Sequence, residues 1–306
     1  IVDHLPELPA ENFLGEPLGR DTANAIGFAG AVLASRDPQA ELAFLTADHV
    51  IEPVSAFQDA LRTGFELVER DPLVLVTFGI PPSSPHTGLG YIERAEPAEV
   101  LATGAAPVFA VSAFTEKPDL GTATAYLASG RHLWNSGMFV WRASTLLDVL
   151  DALLPESASR LRRAAAAWGG PSRDAVLGEV YPELQKISVD YAVMEPASQG
   201  RVNADVVVVP MPVQWLDVGS WAALAGTLEV DASGNRSGAD CLTCLVDSRD
   251  NVIVTDDPDH LIATVGLSGH IVVHTADVTM VCPLADGERI KELVAQVQSQ
   301  YGPRFT

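Results

Sequence analysis

The chain has 306 residues, 47% hydrophobic and 19% charged, enough apolar material for one large domain or two ordinary ones and too much for a disordered tail or a coiled coil. Lys and Arg number 19 against 40 Asp and Glu, a formal charge of -21 that repels nucleic-acid backbones and anionic lipid surfaces. No apolar run approaches the roughly 20 residues of a membrane span, and Ile1 to Glu11 lacks the basic and apolar segments of a signal peptide.

Thr22 to Ser35 reads as a helix, because Ala23, Ala25, Ile26, Ala29, Val32 and Leu33 recur at helical spacing before Pro38. Leu42 to Leu45 is a short apolar strand leading to the polar Asp48-His49. Ser55 to Arg70 predicts an amphipathic helix with Ser55 as its N-cap, and Leu73 to Ile80 a continuous apolar strand. Alternation of this kind predicts an α/β fold around a mixed, mostly parallel sheet covered on both faces. Pro81 to Gly90 is turn chemistry throughout, Tyr91 to Glu93 and Val108 to Phe114 read as strands, and Gly130 stops a helix begun at Asp119. A mixed stretch follows. Helices are then expected at Ala143 to Leu154, from Glu156 into Ala167 and at Val189 to Ala197, with a strand at Val206 to Val209. From Leu242 to Cys282 short β-rich runs recur at about ten-residue spacing, a small all-β unit, and Asp286 to Gln300 closes as an amphipathic helix. The boundary is placed at 233/234, giving segments 1–233 and 234–306.

Asp48 and Asp217 both follow apolar stretches, far apart in sequence. Ligands of α/β sheets bind beyond the strand carboxyl ends, where two such carboxylates can hold one Mg²⁺ beside a nucleotide. The competing possibilities are a loop turn for Asp48 and a helix N-cap for Asp217. Glu116-Lys117-Pro118 stands out because the chain has only three lysines, Lys117, Lys186 and Lys291. Pro118 disfavours helix at Lys117, so the pair is expected on an extended segment, Glu116 accepting from hydroxyls and Lys117 meeting a phosphate; otherwise it is an exposed ion pair. Asn135 in Trp134-Asn135-Ser136-Gly137-Met138 can donate to and accept from sugar hydroxyls, unless the segment is a core tryptophan followed by a turn. Gly88 and Gly90 could bring backbone amides to a ligand. Cys241 and Cys244 have C-x-x-C spacing without a second pair, and read as core cysteines rather than a zinc site. The odd total of three cysteines suits a reducing, cytoplasmic setting.

Taken in order, Glu16-Pro17 with Asp21-Thr22-Ala23, Thr46-Ala47-Asp48-His49, Thr77-Phe78-Gly79-Ile80, Thr87-Gly88-Leu89-Gly90-Tyr91-Ile92-Glu93, Phe114-Thr115-Glu116-Lys117-Pro118, Leu133-Trp134-Asn135-Ser136-Gly137-Met138-Phe139, Ile187 to Glu195 and Trp215-Leu216-Asp217-Val218-Gly219-Ser220-Trp221 resemble the mannose-1-phosphate guanylyltransferases. The resemblance runs from about residue 7 to the C-terminus. It implies a Rossmann-like nucleotidyltransferase domain followed by a short left-handed β-helix-like unit. The implied reaction joins GTP and mannose 1-phosphate into GDP-mannose and pyrophosphate, in a homodimer. By the same match Asp48 and Asp217 hold Mg²⁺, and Glu16, Asp21 and Thr22 lie where guanine is read. Gly90, Glu116, Lys117 and Asn135 surround the mannose and its phosphate, and Asp190 belongs to a family block whose role is assigned loosely.

Two departures are plain. The family's glycine-rich G-x-G-x-R loop and the Pro-Lys segment after it are not in this sequence, so the first βαβ unit is expected to be missing and the chain alone to be inactive. Thr46 stands where the family has proline. The fused phosphomannose isomerase domain of bifunctional relatives is not expected after the closing helix. The alternatives are a nucleotidyltransferase for another hexose 1-phosphate and a catalytically inactive regulatory relative.

Overall fold

The computed structural model describes residues 7–95 and 107–305, so the first six residues of the segments expected at 1–11 and 1–233 lie outside the described residues. The chain divides into two compact units, Ile1–Ala47 with Ile51–Gln214, and Asp48–Val50 with Trp215–Thr306. The boundary expected at 233/234 falls inside the second of these.

In chain order come α1 (Thr22–Arg36), β1 (Glu41–Phe44), β2 (His49–Glu52), whose first two residues belong to the second unit, α2 (Val54–Arg70) and β3 (Val74–Ile80). There follow β4 (Tyr91–Arg94), β5 (Phe109–Thr115), α3 (Leu120–Ser129) and β6 (His132–Arg142). Three helices, α4 (Ala143–Leu153), α5 (Pro155–Ala167) and α6 (Arg173–Val180), lead to a π turn at Asp190–Met194, the short α7 (Glu195–Ser198) and β7 (Asp205–Pro210). Six strands form one sheet in the order β1-β6-β3-β7-β5-β4. β3 is buried along its whole length, as its unbroken apolar run requires, and Trp141 of β6 is fully buried with its indole N–H on the Val76 carbonyl at 3.1 Å.

The sheet is mixed, as expected, but the expectation that most of it is parallel is corrected. Among the described residues only β3–β7 pairs in parallel. β1 and β3 do run the same way across α2, since each is antiparallel to β6. The long β6 is inserted between them and also pairs antiparallel with β4, so one strand reverses three ladders. Alternation in sequence cannot reveal that insertion. β6 is itself the stretch that looked mixed, because Asn135-Ser136-Gly137 has turn composition. Within the strand Ser136 Oγ bonds the Phe78 carbonyl at 2.7 Å, and Gly137 takes φ 69°, open to glycine without strain. The cap of α2 is likewise corrected: Pro53 occupies the N-cap and Ser55 lies inside the helix.

The second unit contains β8 (Gln214–Asp217), which pairs with β2, then α8 (Trp221–Ala225), β9 (Glu229–Val230) and β10 (Arg236–Ser237). β11 (Leu242–Val246), β12 (Val252–Thr255), β13 (Leu261–Val265), β14 (His270–His274), β15 (Thr279–Pro283) and α9 (Ile290–Tyr301) complete it. Parallel ladders β10-β12-β14 and β11-β13 stack successive turns of chain. Buried Asn235 and Asn251 tie those turns together. Asn251 Nδ2 donates to Asn235 Oδ1 at 2.9 Å, and the His270 amide donates to Asn251 Oδ1 at 3.0 Å. The reading of Cys241 and Cys244 as core cysteines is half right at most. Cys241 is partly buried but Cys244 is exposed, because it shares the outward face of β11 with Leu242 and Val246.

Candidate active site

Asp48 and Asp217 converge. With His49 they place one ligand atom each within 4.8 Å of the others. Asp217 is the last residue of β8, and the Val218 amide donates to the Asp48 carbonyl at 3.0 Å, which holds the two chain segments together. Asp217 is not the cap of α8; Ser220 is, its hydroxyl accepting from the Ala223 amide at 3.1 Å. The Trp215 indole N–H donates to His49 Nδ1 at 3.2 Å. A tryptophan can only donate, so Nδ1 accepts and the neutral ring carries its proton on Nε2, which lies 3.9 Å from Asp48 Oδ1. Burial pushes the His49 imidazole below its ordinary value, against the opposing pull of Asp217 and Asp48. The donor set offered to a cation is thus two carboxylates backed by a ring N–H, which fits Mg²⁺ better than a nitrogen-seeking metal.

A second cluster gathers Gly90, Glu116, Lys117, Asn135 and Asp190, from four segments of the first unit. Asn135 is buried in mid-β6, its amide donating to the Gly90 carbonyl at 2.8 Å. Its Oδ1 accepts from Thr77 Oγ1 at 3.3 Å and from the Gly137 amide at 3.2 Å, which orients Nδ2 onto Asp190 Oδ1 at 2.8 Å. Thr77 belongs to one of the segments that carry the resemblance but was not singled out as a site residue; its physical signal is a lone hydroxyl within an apolar strand. Gly90 approaches closely: a Cβ there would meet Glu116 Oε2 at 2.5 Å, so a side chain at this position would displace the Glu116 carboxylate. Lys117 Nζ pairs with Glu116 Oε1 at 3.0 Å, the lysine 59% exposed and the glutamate 9%. This hydrogen bond, more than the surrounding negative charge, raises the Lys117 pKa. The expected extended backbone at Lys117 is corrected: φ is 46°, in the left-handed region, which costs a non-glycine residue roughly 1–2 kcal/mol.

The lead-in to α1 forms a third group. The Asp21 carboxylate accepts from the Thr22 amide at 2.8 Å, with Asp21 itself at φ 67°. Thr22 Oγ1 accepts from the Val189 amide at 2.9 Å, one residue before Asp190, so this group and the second are joined through that segment. Glu16 is raised by burial, and its charge adds to the burial that pushes the Tyr181 phenol up.

Burial, with the nearby Glu116 charge second, pushes Asp190 up to about 6 from 3.8. Between those values the folded chain binds more protons than the unfolded one, so stability falls as pH rises through that window and the cost is complete above it. Asp190→Asn keeps an acceptor for Asn135 and cannot ionise. It should be more stable than the parent at pH 8 by on the order of 1–3 kcal/mol, with the gap closing near pH 4. Thermal melts of both forms across that range test this; a gap independent of pH would refute it.

Comparison with known proteins agrees with this architecture. Residues 4–233 match the Nucleotidyl transferase family, and residues 243–297 match the MannoseP isomerase/GMP-like beta-helix domain. The xanthan biosynthesis protein XanB of Xanthomonas campestris pv. campestris is 39% identical over 93% of this chain and 56% of its own length. A mannose-1-phosphate guanylyltransferase of Klebsiella pneumoniae is 35% identical over 93% of this chain and 58% of its own. The chain therefore spans little more than half the length of these curated relatives. A crystal structure from Thermus thermophilus, described as a mannose-1-phosphate geranyltransferase, superposes with a TM-score of 0.75 at 31% identity, over 93% of this chain and 77% of that one. The chain belongs to the Nucleotidyl transferase family, and the relatives it is similar to include mannose-1-phosphate guanylyltransferases.

Proposed function

We propose that the protein makes GDP-mannose and pyrophosphate from GTP and mannose 1-phosphate. The observation that carries this reading is the second cluster, where a cation, a carboxylate and an oriented amide meet around a glycine whose side chain, if it had one, would displace that carboxylate. That set suits a sugar phosphate: Lys117 meets the phosphate, while Glu116 and Asn135 take the hydroxyls. A phosphate oxygen of the sugar attacks the α-phosphorus of GTP in line. The new P–O bond forms as the bridging α–β bond breaks, and pyrophosphate leaves with its electron pair. The protein's share is positioning and charge neutralisation. Asp48 and Asp217 would hold Mg²⁺, which offsets phosphate charge, with the Nε2–H of His49 3.9 Å from the Asp48 carboxylate. Glu16, Asp21 and Thr22 would read the guanine. Local cations matter because two polyanions must meet on a chain of charge -21.

The intact protein, given GTP, mannose 1-phosphate and Mg²⁺, should release GDP-mannose and pyrophosphate in equal amounts, measured by anion-exchange chromatography. No product, or faster turnover with glucose 1-phosphate or UTP, would overturn this assignment. GTP as substrate and three free cysteines favour a cytoplasmic setting; no helix among the described residues is long and apolar enough to cross a membrane.

The homodimer belongs to the same proposal. Alternate residues of β11 and β13 turn Leu242, Val246, Leu261 and Val265 outward, between 50% and 79% exposed, an apolar face that a second copy would cover. Light scattering should give twice the chain mass, and Val265→Asp should halve it. An unchanged mass in that variant would remove this face from the interface.

A further inference from the structure

We infer that Asp257, His260 and His274 form a transition-metal site in the second unit, separate from the Asp48–Asp217 pair and from the proposed reaction. The three place one ligand atom each within 4.8 Å of the others. His274 ends β14 and pairs in register with Thr255, the end of β12. The connection from β12 to β13 folds back over that strand end. The Asp257 amide donates to Thr255 Oγ1 at 3.0 Å and the His260 amide to the Asp257 carbonyl at 3.2 Å. The His260 ring then lies on that of His274, centroids 3.6 Å apart and 16° from parallel.

The chemistry of this set differs from that of the aspartate pair. Two imidazoles and one carboxylate suit Zn²⁺, Co²⁺ or Ni²⁺, whereas Mg²⁺ and Ca²⁺ prefer oxygen alone. His274 Nδ1 is engaged by Thr279 Oγ1 at 2.9 Å, which fixes the ring and leaves Nε2 as the nitrogen for a cation. An outer hydrogen bond of this kind is the usual companion of a ligating histidine. Zinc bonds of about 2.0–2.2 Å put tetrahedral ligands roughly 3.4 Å apart. Stacked rings aim their nitrogen lone pairs along parallel planes, so the exposed His260 ring turns out of the stack, and the exposed Asp257 rotates with it, when the three share one cation. Asp256 and Asp259 flank the loop and add negative charge. A bound cation would join the β12–β13 connection to β14, and so stabilise this unit by binding only its folded form.

Calorimetric titration of the intact protein with Zn²⁺ in excess Mg²⁺, with Co²⁺ absorbance in parallel, tests the site. One equivalent should bind, and saturating Zn²⁺ should raise the melting temperature. His260→Ala and the isosteric Asp257→Asn should each weaken binding at least about 10-fold, and the His260→Ala/His274→Gln pair should abolish both the equivalent and the thermal shift. Asp217→Asn should keep them. Unchanged stoichiometry and affinity in His260→Ala and Asp257→Asn, or loss of the equivalent in Asp217→Asn instead, would overturn the assignment. GDP-mannose synthesis should be unaffected by His260→Ala, so failure of the zinc site is distinguishable from failure of the proposed reaction.

Discussion

Asp217→Asn in the intact protein should lower turnover by at least about 100-fold and shift the Mg²⁺ requirement upward, with little change in melting temperature. The substitution is isosteric and removes one of the two charges offered to the cation. The fold should survive it, because Ser220 and not Asp217 caps α8. β8 is held by its pairing with β2 and by the Val218–Asp48 backbone bond, neither of which uses the carboxylate. Initial rates across a magnesium series, beside circular dichroism, separate the outcomes. Near-normal turnover at ordinary Mg²⁺ would return Asp217 to a purely structural role. Turnover lost together with the fold would mean the carboxylate supports β8 in some other way.

Much of this was legible because local chemistry and tertiary structure agree. The apolar run at Leu73 to Ile80 can only be a buried strand, and the small-residue periodicity after Asp21 yields a helix of nearly the expected length. The convergence of Asp48 with Asp217 was only suggested by their placement after apolar stretches and was expected from the family resemblance, whereas the Trp215 bond to His49 was not readable, since it depends on which ring nitrogen the indole meets across the chain. β6 was unreadable for a definite reason. Asn135, Ser136 and Gly137 carry turn composition, and only their neighbours satisfy them within a strand: Thr77 and Asp190 for Asn135, the Phe78 carbonyl for Ser136. Sequence order cannot reveal that β6 lies between β1 and β3 either, and this is why strand direction was misjudged while the fold class was not. Local rules fail where the chain builds its polar cluster, as they commonly do at functional sites.

Lys117 is where that conflict is sharpest. Lys117→Met keeps the aliphatic stem, removes the charge and strands the Glu116 carboxylate without its ion pair, in the neighbourhood of Asp190. Losing one charge-assisted contact costs about 1.5–3 kcal/mol, so kcat/KM for mannose 1-phosphate should fall roughly 10- to 150-fold, with the KM for GTP nearly unchanged. An exposed ion pair with no ligand role would instead change stability by at most about 1 kcal/mol and leave both KM values alone. The backbone supplies a second, independent reading. At φ 46° a lysine bears a left-handed cost of roughly 1–2 kcal/mol that glycine avoids, while glycine loses about 0.5–1 kcal/mol through the freedom of the unfolded chain. Lys117→Met and Lys117→Gly lose the same ion pair, so the glycine variant should be as stable as Lys117→Met or up to about 1 kcal/mol more stable, and bind the sugar phosphate as poorly. Denaturant melts beside substrate kinetics decide the matter. A glycine variant clearly less stable than Lys117→Met would show that the strain is not relieved there, and one that retains the parental KM for mannose 1-phosphate would show that the ammonium does not meet the phosphate.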